Sequence, residues 1–352
     1  MQHITRQTRK LEHIKYTVEL PEVFGQTGFA DLRLVHNALP ELNWDKLDTS
    51  CSFMGKQLSA PFMINALTGG HEEVYVINRA LARAAAATGI GMAVGSQQAA
   101  LDDPKIRNTY TIVREENRQG LLLANLSAFC TLDEALVAID MIEADGIQLY
   151  LNVGQELAMR EGEANFSGCL ANIKQLVHNL PVPVLVKEVG CGMSMETVIA
   201  LAKAGVRYLD VGGYGGTNFI IIEGKRAGED SAALGQWGLP TAISLLEALH
   251  VGSEIDIVAA GGVCTAEDAA KALTAGAVLV ALAGPVLRVL MQEGQEGLVV
   301  YITEFIADLR RVMMLTGAQQ PADLSQKPLV ITGWVAEWLE RRGVDISHYA
   351  RR

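Results

Sequence analysis

From residue 61 onward, short apolar segments alternate with longer amphipathic segments, and this alternation constrains the fold more than any other feature. We interpret the apolar segments as strands, at 61–65, 91–95, 121–125, 146–152, 183–188, 207–211, 255–260 and 277–282. Between them, segments such as 78–89, 132–144, 194–205 and 265–276 have the i, i+3, i+4 apolar spacing of helices. Several begin with Ser or Thr and end on Gly, which are typical helix-capping residues.

Eight successive strand–helix units predict a parallel (β/α)8 TIM barrel. A doubly wound sheet is the main alternative, but the count of eight and the absence of a break in strand order favour the barrel. We expect one domain over 1–352, with an N-terminal extension at 1–60, the barrel at 61–316 and a C-terminal helical tail at 317–352. We also expect a short helix near 36–42, a long final helix at 287–315, and a long Gly-rich loop at 212–238, which in a compact domain indicates function or mobility.

Composition excludes several classes of protein. The net charge of -11 at pH 7 disfavours nucleic acid as a partner. No apolar run reaches the ~18 residues that a membrane span needs, and the polar, basic start lacks the apolar region of a secretory signal. We therefore expect a cytoplasmic protein that does not enter the membrane. The five cysteines are odd in number and form no Cys-x-x-Cys pair, which argues against zinc and against a disulfide framework.

Glycines and a lysine follow the later strands. Lys187 and Glu188 end the fifth strand, and four glycines lie within 212–216 after the sixth. Gly261 and Gly262 follow the seventh strand, and Ala283 and Gly284 follow the eighth. In many barrels the last two of these loops bind phosphate through backbone N–H groups. The alternative is that they are tight turns, but the pairing at strands seven and eight favours phosphate.

Small and hydrogen-bonding residues follow the earlier strands. They are Leu67, Thr68 and Gly69 after the first strand, Ser96 after the second, and Asn125 at the end of the third. As a set they suit a flat heteroaromatic ring lying across the mouth of the barrel, although each alone is ordinary turn chemistry.

Two further motifs indicate a polar ligand. Alternation along the fourth strand puts Gln148, Tyr150 and Asn152 on its inner face, where polar groups are costly unless they are paired or bind a ligand. Glu156 follows, and it is either a surface carboxylate or, beside a diphosphate, a ligand for Mg²⁺. Arg9, Lys10 and His13 would share one face of a helix, unless they belong to a basic tail.

Together these segments resemble the type 2 isopentenyl-diphosphate isomerases, a family of FMN-dependent (β/α)8 barrels. The matching segments span nearly the whole chain: RKLEHI (9–14), LTGG (67–70), GSQ (95–97), QLYLNVGQE (148–156), VKEVGCGMS (186–194), DVGGYGGTNF (210–219), AAGGV (259–263) and ALAGP (281–285). The resemblance implies interconversion of isopentenyl and dimethylallyl diphosphate with Mg²⁺ and reduced FMN, NADPH as the reductant, and a homo-oligomer (a tetramer or an octamer).

The resemblance also implies roles for individual residues. The residues it assigns to FMN are Leu67, Thr68, Gly69, Ser96, Asn125, Lys187, Thr217, Gly261, Gly262, Ala283 and Gly284. Those it assigns to the substrate are Arg9, Lys10, His13, Asn152 and Gln155, with Glu156 on Mg²⁺. Among these and their neighbours we expect Gln155, Lys187 and Tyr150 to act in catalysis.

The chain departs from the family at two positions. Leu67 stands where the family usually has Met, a change of similar volume. Tyr150 stands where the family usually has His, and a phenol with an ordinary pKa near 10 is not a base at neutral pH. This second departure leaves open any acid–base role of the position.

Two alternatives to an isomerase remain open on sequence alone. An FMN-dependent 2-hydroxy-acid oxidase or dehydrogenase shares the barrel but needs a catalytic His after a late strand, and the only histidines after His178 are His250 and His348. The second alternative is a non-catalytic flavin-binding protein, which would not require Gln155, Glu156 or the set of Arg9, Lys10 and His13.

Overall fold

A computed structural model of the protein describes residues 6–20, 26–228, 234–252 and 254–352. Parts of the predicted extension and of the predicted loop at 212–238 lie outside these residues. The described strands are β1 (Leu32–Leu34), β2 (Cys51–Phe53), β3 (Lys56–Leu58), β4 (Phe62–Ile64), β5 (Gly91–Ala93), β6 (Leu122–Ser127), β7 (Gly146–Leu151), β8 (Val184–Glu188), β9 (Tyr208–Asp210), β10 (Asp256–Ala260), β11 (Leu279–Leu282) and β12 (Leu329–Ile331).

The described helices surround the strands or flank them in sequence. They are α1 (Arg6–Glu19), α2 (Tyr75–Thr88), α3 (Gln98–Asp102), α4 (Asn108–Glu116), α5 (Leu132–Met141), α6 (Val153–Ala158), α7 (Cys169–Asn179), α8 (Met195–Lys203), α9 (Phe219–Arg226), α10 (Thr241–His250), α11 (Ala266–Ala275), α12 (Gly284–Thr316), α13 (Pro321–Leu324) and α14 (Gly333–Arg341). Within the described ranges, no helix is long and apolar enough to cross a bilayer.

Strands β4 to β11 pair in parallel and close into a barrel, which confirms the predicted fold class. Each of these strands lies inside a predicted strand segment or overlaps it. The ring closes between β11 and β4, where Ala281 is opposite Met63. Predicted helix caps are also present: the Ser194 and Thr265 side chains cap the starts of α8 and α11, and Gly89 ends α2 in the left-handed conformation.

Alternation along the strands divides the core into two layers. In β7, Ile147 and Leu149 are fully buried in the layer between strands and helices. Gln148 points the other way, into the barrel, as predicted. Inside the barrel, Met63 and Leu185 pack with Phe53 from the β2–β3 hairpin, and the Phe53 ring lies edge-on to Tyr208 at 5.5 Å. Because this hairpin covers the amino ends of the strands, only the carboxyl ends are left to form a site.

Two local predictions are wrong. Residues 36–42 form no helix, because the Asn37 side chain accepts a hydrogen bond from the Leu39 N–H and Pro40 has no N–H to donate. The segment predicted as one loop at 212–238 contains α9, which begins where the Asn218 side chain accepts a hydrogen bond from the Ile221 N–H. The long final helix is confirmed as α12, with non-helical backbone at Gly294.

Candidate active site

Two adjoining cavities open at the carboxyl ends of the barrel strands. The first cavity spans about 820 Å³ with the open space at its mouth included, and it lies above β4 and β8 to β11. The second cavity spans about 1830 Å³ on the same basis, and it lies between the ends of β5 to β7 and the arm helix α1. Residues that line both include His13, Leu67 and Lys187, so a ligand in one cavity would touch a ligand in the other.

Glycines bring the loops around the first cavity into backbone contact. A Cβ atom on Gly261 would lie 2.1 Å from the Gly213 carbonyl oxygen, and one on Gly216 would lie 2.3 Å from the Gly262 nitrogen. Gly261 and Gly262 also have φ angles of 108° and 73°, which disfavour other residues. The loops after β9 and β10 therefore form a cradle of bare backbone, as an anionic phosphate group requires.

A buried carboxylate shapes the loop that follows β8. Glu188 accepts hydrogen bonds from the N–H groups of Gly190 at 2.7 Å, Gly192 at 3.1 Å and Cys191. Burial raises the pKa of Glu188 to about 7, although these N–H groups and Lys187 act in the opposite direction. Lys187 in turn donates to the Glu188 carbonyl oxygen at 2.9 Å, which holds its ammonium group at the wall of both cavities.

Three hydrogen-bonded polar side chains lie inside the barrel next to the first cavity, and Asn65 among them lines it. Asp210 accepts hydrogen bonds from Asn65 Nδ2 at 2.7 Å and from the Gly212 N–H at 2.9 Å. Gln148 Nε2 donates to Asn65 Oδ1 at 3.1 Å. Burial raises the pKa of Asp210, while the charge of Lys187, its neighbour across β8 and β9, lowers it. Sequence reasoning did not assign roles to Asn65, which ends a predicted strand, or to Asp210, which begins the segment DVGGYGGTNF.

Two buried polar atoms at the rim have no hydrogen-bond partner among the described residues. They are Thr68 Oγ1 and Asn125 Oδ1. An unsatisfied buried oxygen costs about 1–3 kcal/mol, so such atoms usually bind a ligand or an ordered water. Asn125 lines the second cavity, and Thr68 lies behind Leu67, which lines both cavities. Together with the glycine cradle and Lys187 of the first cavity, they match the phosphate and the polar ring of FMN.

The arm helix α1 is held over the second cavity by Glu223 of α9, whose side chain has no exposed surface. His13 Nε2 lies 2.8 Å from Glu223 Oε1, and Gln155 Nε2 donates to the same oxygen at 3.0 Å. Arg226 pairs with the other oxygen. Burial alone would raise the pKa of Glu223, but the contacts with His13, Gln155 and Arg226 lower it to about 2.

The ionised carboxylate of Glu223 determines which ring nitrogen of His13 carries the proton. Burial lowers the pKa of His13 more than the Glu223 contact raises it, so the imidazole is neutral at pH 7. Because an ionised Glu223 can only accept, we assign the proton of the neutral ring to Nε2. His13 Nδ1 then carries a lone pair, and protonation there would make the ring a cation for an anionic ligand.

Arg226 extends this contact to neighbouring segments. Its guanidinium donates to Glu12 of α1 at 2.8 Å and to Glu161, beyond α6, at 3.0 Å. Glu161 also lies 3.9 Å from Arg9, whose guanidinium donates to Met159 Sδ at 3.2 Å. Sequence reasoning missed Glu223 and Arg226 because both lie in the predicted loop, although the Asn218 cap before FIIIEGKR was a usable helix signal.

The predicted metal ligand lies at the outer side of the second cavity. Glu156 accepts hydrogen bonds from Asn152 Nδ2 at 2.7 Å and from the Glu163 N–H at 3.0 Å. Among the described residues there is no group of three or more His, Cys, Asp or Glu side chains arranged to hold a metal ion. A cation at Glu156 would therefore take most of its ligands from water and from a bound diphosphate, as Mg²⁺ commonly does.

The structure brings together most of the predicted site residues. Those lining the first cavity are His13, Leu67, Lys187, Thr217, Gly261, Gly262, Ala283 and Gly284. Those lining the second are Arg9, Lys10, His13, Leu67, Ser96, Asn125, Tyr150, Asn152, Gln155, Glu156 and Lys187. Thr68 and Gly69 line neither cavity, because they pack behind Leu67 against Gly95 and Tyr110, and their contact with FMN stays a prediction.

Histidine positions bear on the oxidase alternative. His250 ends α10 and His348 precedes the final turn at Tyr349–Arg351, and both are exposed and away from the cavities. Among the described residues, His13 is the histidine that lines the cavities, and it comes from the arm rather than from a late strand. Among the described residues, the site therefore lacks the catalytic His that a 2-hydroxy-acid oxidase needs after a late strand.

The barrel and its first cavity define a flavin-binding class. The model of the FMN-dependent dehydrogenase family matches residues 115–331. Solved structures share the fold at low identity. A lactate oxidase from Pediococcus acidilactici superposes with a TM-score of 0.66 and 18% identity, covering 91% of this chain and 88% of the other. A mandelate oxidase variant with an FMN adduct gives 0.63 and 16%, covering 91% and 92%.

Curated relatives give a finer assignment. The isopentenyl-diphosphate delta-isomerase of Moorella thermoacetica is 50% identical over 97% of this chain and 98% of its own length. That of Methanothermobacter thermautotrophicus is 41% identical over 98% and 99%. The chain belongs to the isopentenyl-diphosphate delta-isomerase family, in its FMN-dependent form, the type 2 isomerases.

Replacing Glu223 by Gln tests the contact that holds the arm. The variant loses the charge that His13 and Arg226 pair with, so we expect hydrogen exchange of the α1 amides to rise about tenfold at pH 7. In the wild type the docked arm lowers the pKa of the Glu223 carboxyl group, so the ionised carboxylate stabilises the docked arm fully above about pH 4.5. This contribution is lost as the pH falls toward about 2. Glu223→Gln should lack this part of the acid dependence.

Glu19→Gln is the matched control, because Glu19 is exposed on the same helix and, among the described residues, forms an ion pair with Lys15 alone, at 3.9 Å. It should leave α1 exchange unchanged. Equal α1 protection in Glu223→Gln and the wild type at pH 7 would show that Glu223 does not hold the arm.

Proposed function

We propose that this protein interconverts isopentenyl diphosphate and dimethylallyl diphosphate. The FMN phosphate would lie in the first cavity, the flavin ring would reach Ser96 and Asn125 at the edge of the second cavity, and the substrate would occupy the rest of the second cavity. The observation that carries the proposal is the shared wall of the two cavities, where Lys187 and His13 face both. This adjacency supports direct contact between a flavin ring and a small substrate held by the arm. Near full-length identity of 50% to a curated isomerase supports the same assignment.

The reaction explains why a cofactor is needed. Moving a carbon–carbon double bond by one position requires a proton to be added at one carbon and another removed elsewhere. No carbonyl activates the alkene or its allylic C–H, so ordinary side-chain acids and bases are poorly matched to these steps. Reduced FMN would supply the acid–base group, and the protein would supply binding and orientation.

Cationic groups of the chain would bind the two anionic ligands. Arg9, Lys10 and His13 face the second cavity and would bind the substrate diphosphate. A diphosphate beside His13 Nδ1 would favour protonation of the ring, so the arm gains a charge when the ligand arrives. Lys187 would stabilise negative charge on a reduced flavin.

Amide and carboxylate side chains would orient the substrate. Gln155 is fixed by its hydrogen bond to Glu223, and its Oε1 lies 3.4 Å from Asn152 Nδ2. This pair supports a defined position for the hydrocarbon part of the substrate at the cavity wall. Glu156 would hold Mg²⁺ against the diphosphate, and Tyr150, 3.3 Å from Ser96 Oγ, would act as a neutral hydrogen-bonding group.

The remaining parts of the proposal concern conditions of use. The flavin undergoes no net redox change, so NADPH would serve only to prime it. The proposed setting is cytoplasmic, and the proposed assembly is a homo-oligomer, a tetramer or an octamer. Nucleic acid is not a proposed partner, since the net charge is -11.

A turnover assay tests the function directly. The purified protein, supplied anaerobically with reduced FMN and Mg²⁺, should convert isopentenyl diphosphate to dimethylallyl diphosphate, as followed by proton NMR. Oxidised FMN without reductant should give no conversion. Failure to convert under both chemical and NADPH reduction would refute the isomerase. Oxidation of lactate or mandelate instead would identify a 2-hydroxy-acid oxidase.

Glu156→Gln tests the metal site. Loss of the carboxylate charge should raise the Mg²⁺ concentration for half-maximal rate by about tenfold or more, since even indirect neighbours of a metal affect affinity by 10–100-fold. FMN affinity should stay the same. The control is Glu163→Gln, an exposed neighbour whose backbone N–H alone contacts Glu156. Loss of FMN binding in Glu156→Gln would show that the assignment of Glu156 to Mg²⁺ is wrong and that the residue contacts FMN instead.

Tyr150→His tests the departure from the family pattern. If the flavin carries the proton, the wild type should be active and the variant should change the rate by less than about tenfold. An obligatory acid or base contributes about 10²–10⁴-fold. A gain of that size on introducing His, measured over a pH series, would contradict the proposed role. Tyr150→Phe reports separately on the hydroxyl contact with Ser96.

A further inference from the structure

Tyr110 of α4 is fully buried directly behind two loops of the site, and it lines neither cavity. One loop is 67–70, which follows β4, and the other is 95–97, which follows β5. Both carry residues that we assign to FMN. The tyrosine belongs to no motif of the sequence analysis, and nothing in the proposed chemistry uses it.

The hydroxyl group of Tyr110 binds the second loop. It donates a hydrogen bond to the Ser96 carbonyl oxygen. A carbonyl can only accept, so the proton must come from the phenol. Burial raises the pKa of Tyr110, which keeps the phenol protonated and keeps it a donor. The side chain of the same Ser96 faces the second cavity, 3.3 Å from the Tyr150 hydroxyl.

The ring of Tyr110 supports the first loop. A Cβ atom on Gly69 would lie 2.2 Å from Tyr110 Cε1, so the backbone of Gly69 rests on the ring with no space for a side chain. The adjacent Gly70 N–H donates to Thr109 Oγ1 at 3.1 Å, from the residue before Tyr110. Thr109 and Tyr110 of α4 therefore fix the position of loop 67–70 relative to α4.

The two loops are also joined to each other. The Gly95 N–H donates to the Thr68 carbonyl oxygen at 3.0 Å, and a Cβ atom on Gly95 would lie 2.6 Å from the Thr68 carbonyl carbon. A shift of either loop would therefore move the other. Tyr110 contacts both at the point where they meet, so the removal of one hydrogen bond would be felt at Leu67, Ser96 and Tyr150.

We infer that Tyr110 is a positioning residue for the cofactor: through Ser96 and Gly69 it sets the spacing of the two loops that receive the FMN ring. This inference rests on the proposed FMN site. It assigns the phenol hydroxyl a role in flavin affinity and in the placement of Tyr150, without contact with either ligand.

Tyr110→Phe is the direct test, because it removes the hydroxyl and keeps the ring under Gly69. The apoprotein should bind FMN about tenfold more weakly, since the Ser96 carbonyl loses its donor and the loop can shift. The measurement is a fluorescence titration of FMN, with the visible circular dichroism of bound FMN and the melting temperature of the apoprotein recorded in parallel. The dichroism band should change in shape, because the ring environment changes.

Tyr349→Phe is the matched control. Tyr349 is also buried, but it lies at the C-terminal end against Arg352 and lines neither cavity. Its loss of a hydroxyl should leave FMN affinity unchanged within about twofold. A second variant, Gly69→Ala, directs its methyl group at Tyr110 rather than into a cavity, and it should weaken FMN binding in the same direction as Tyr110→Phe.

The outcomes separate this inference from the proposed function. If the wild type binds FMN and Tyr110→Phe binds it equally well with a lower melting temperature, Tyr110 is merely structural and the inference is wrong. If Tyr349→Phe weakens binding as much, the effect is general destabilisation and the inference is also wrong. If the wild type itself binds no FMN, the proposed function and this inference fail together.

Discussion

A carboxylate with no exposed surface, that of Glu223, holds together the segments around the second cavity. Taking a charge out of water is costly, and the cost is offset only when hydrogen bonds and opposite charge surround it. Here His13 of the arm, Gln155 of α6 and Arg226 of its own helix supply these contacts. Removal of any of them would leave a poorly satisfied buried charge. The arm helix α1, helix α6 and helix α9 are therefore coupled through the Glu223 carboxylate.

The first cavity depends on a different constraint, the close approach of backbone to backbone. Gly213 meets Gly261, and Gly216 meets Gly262, at distances that exclude any side chain. These contacts keep side chains out of the loops that line the first cavity, so a phosphate could approach the backbone closely. Lys187 lies at the boundary with the second cavity and is fixed by the carbonyl of Glu188. The molecule thus places the Lys187 ammonium group between the two cavities, which suits the proposed contact of a flavin with a diphosphate.

The barrel was predictable from sequence because its signals are local. Each strand is a short apolar run, and caps such as Thr265 and Gly89 follow simple rules. The residues at the strand ends were predictable for the same reason, since Lys187 lies in the last two residues of β8 and Gly261 directly follows β10. Family resemblance added the arm residues Arg9, Lys10 and His13, which spacing alone would have left as a basic tail.

The missed features depend on contacts between distant segments. Glu223 gains its importance from His13, 210 positions earlier, and nothing near it in sequence indicates that contact. Tyr110 is an ordinary buried tyrosine until the loops at Gly69 and Ser96 are placed against it. The helix expected at 36–42 failed because the Asn37 side chain competes for the backbone, a local effect that periodicity does not capture.

The central claim is that the two cavities carry out an isomerisation in which the flavin is neither oxidised nor reduced overall. The most direct measurement counts product molecules against reducing equivalents. The enzyme would receive one equivalent of reductant per FMN under anaerobic conditions, with Mg²⁺ and a large excess of isopentenyl diphosphate. The account predicts many molecules of dimethylallyl diphosphate per reduced flavin, while the flavin absorption stays that of the reduced form. Product formation that stops at one molecule per flavin, or that oxidises the flavin in step, would contradict it.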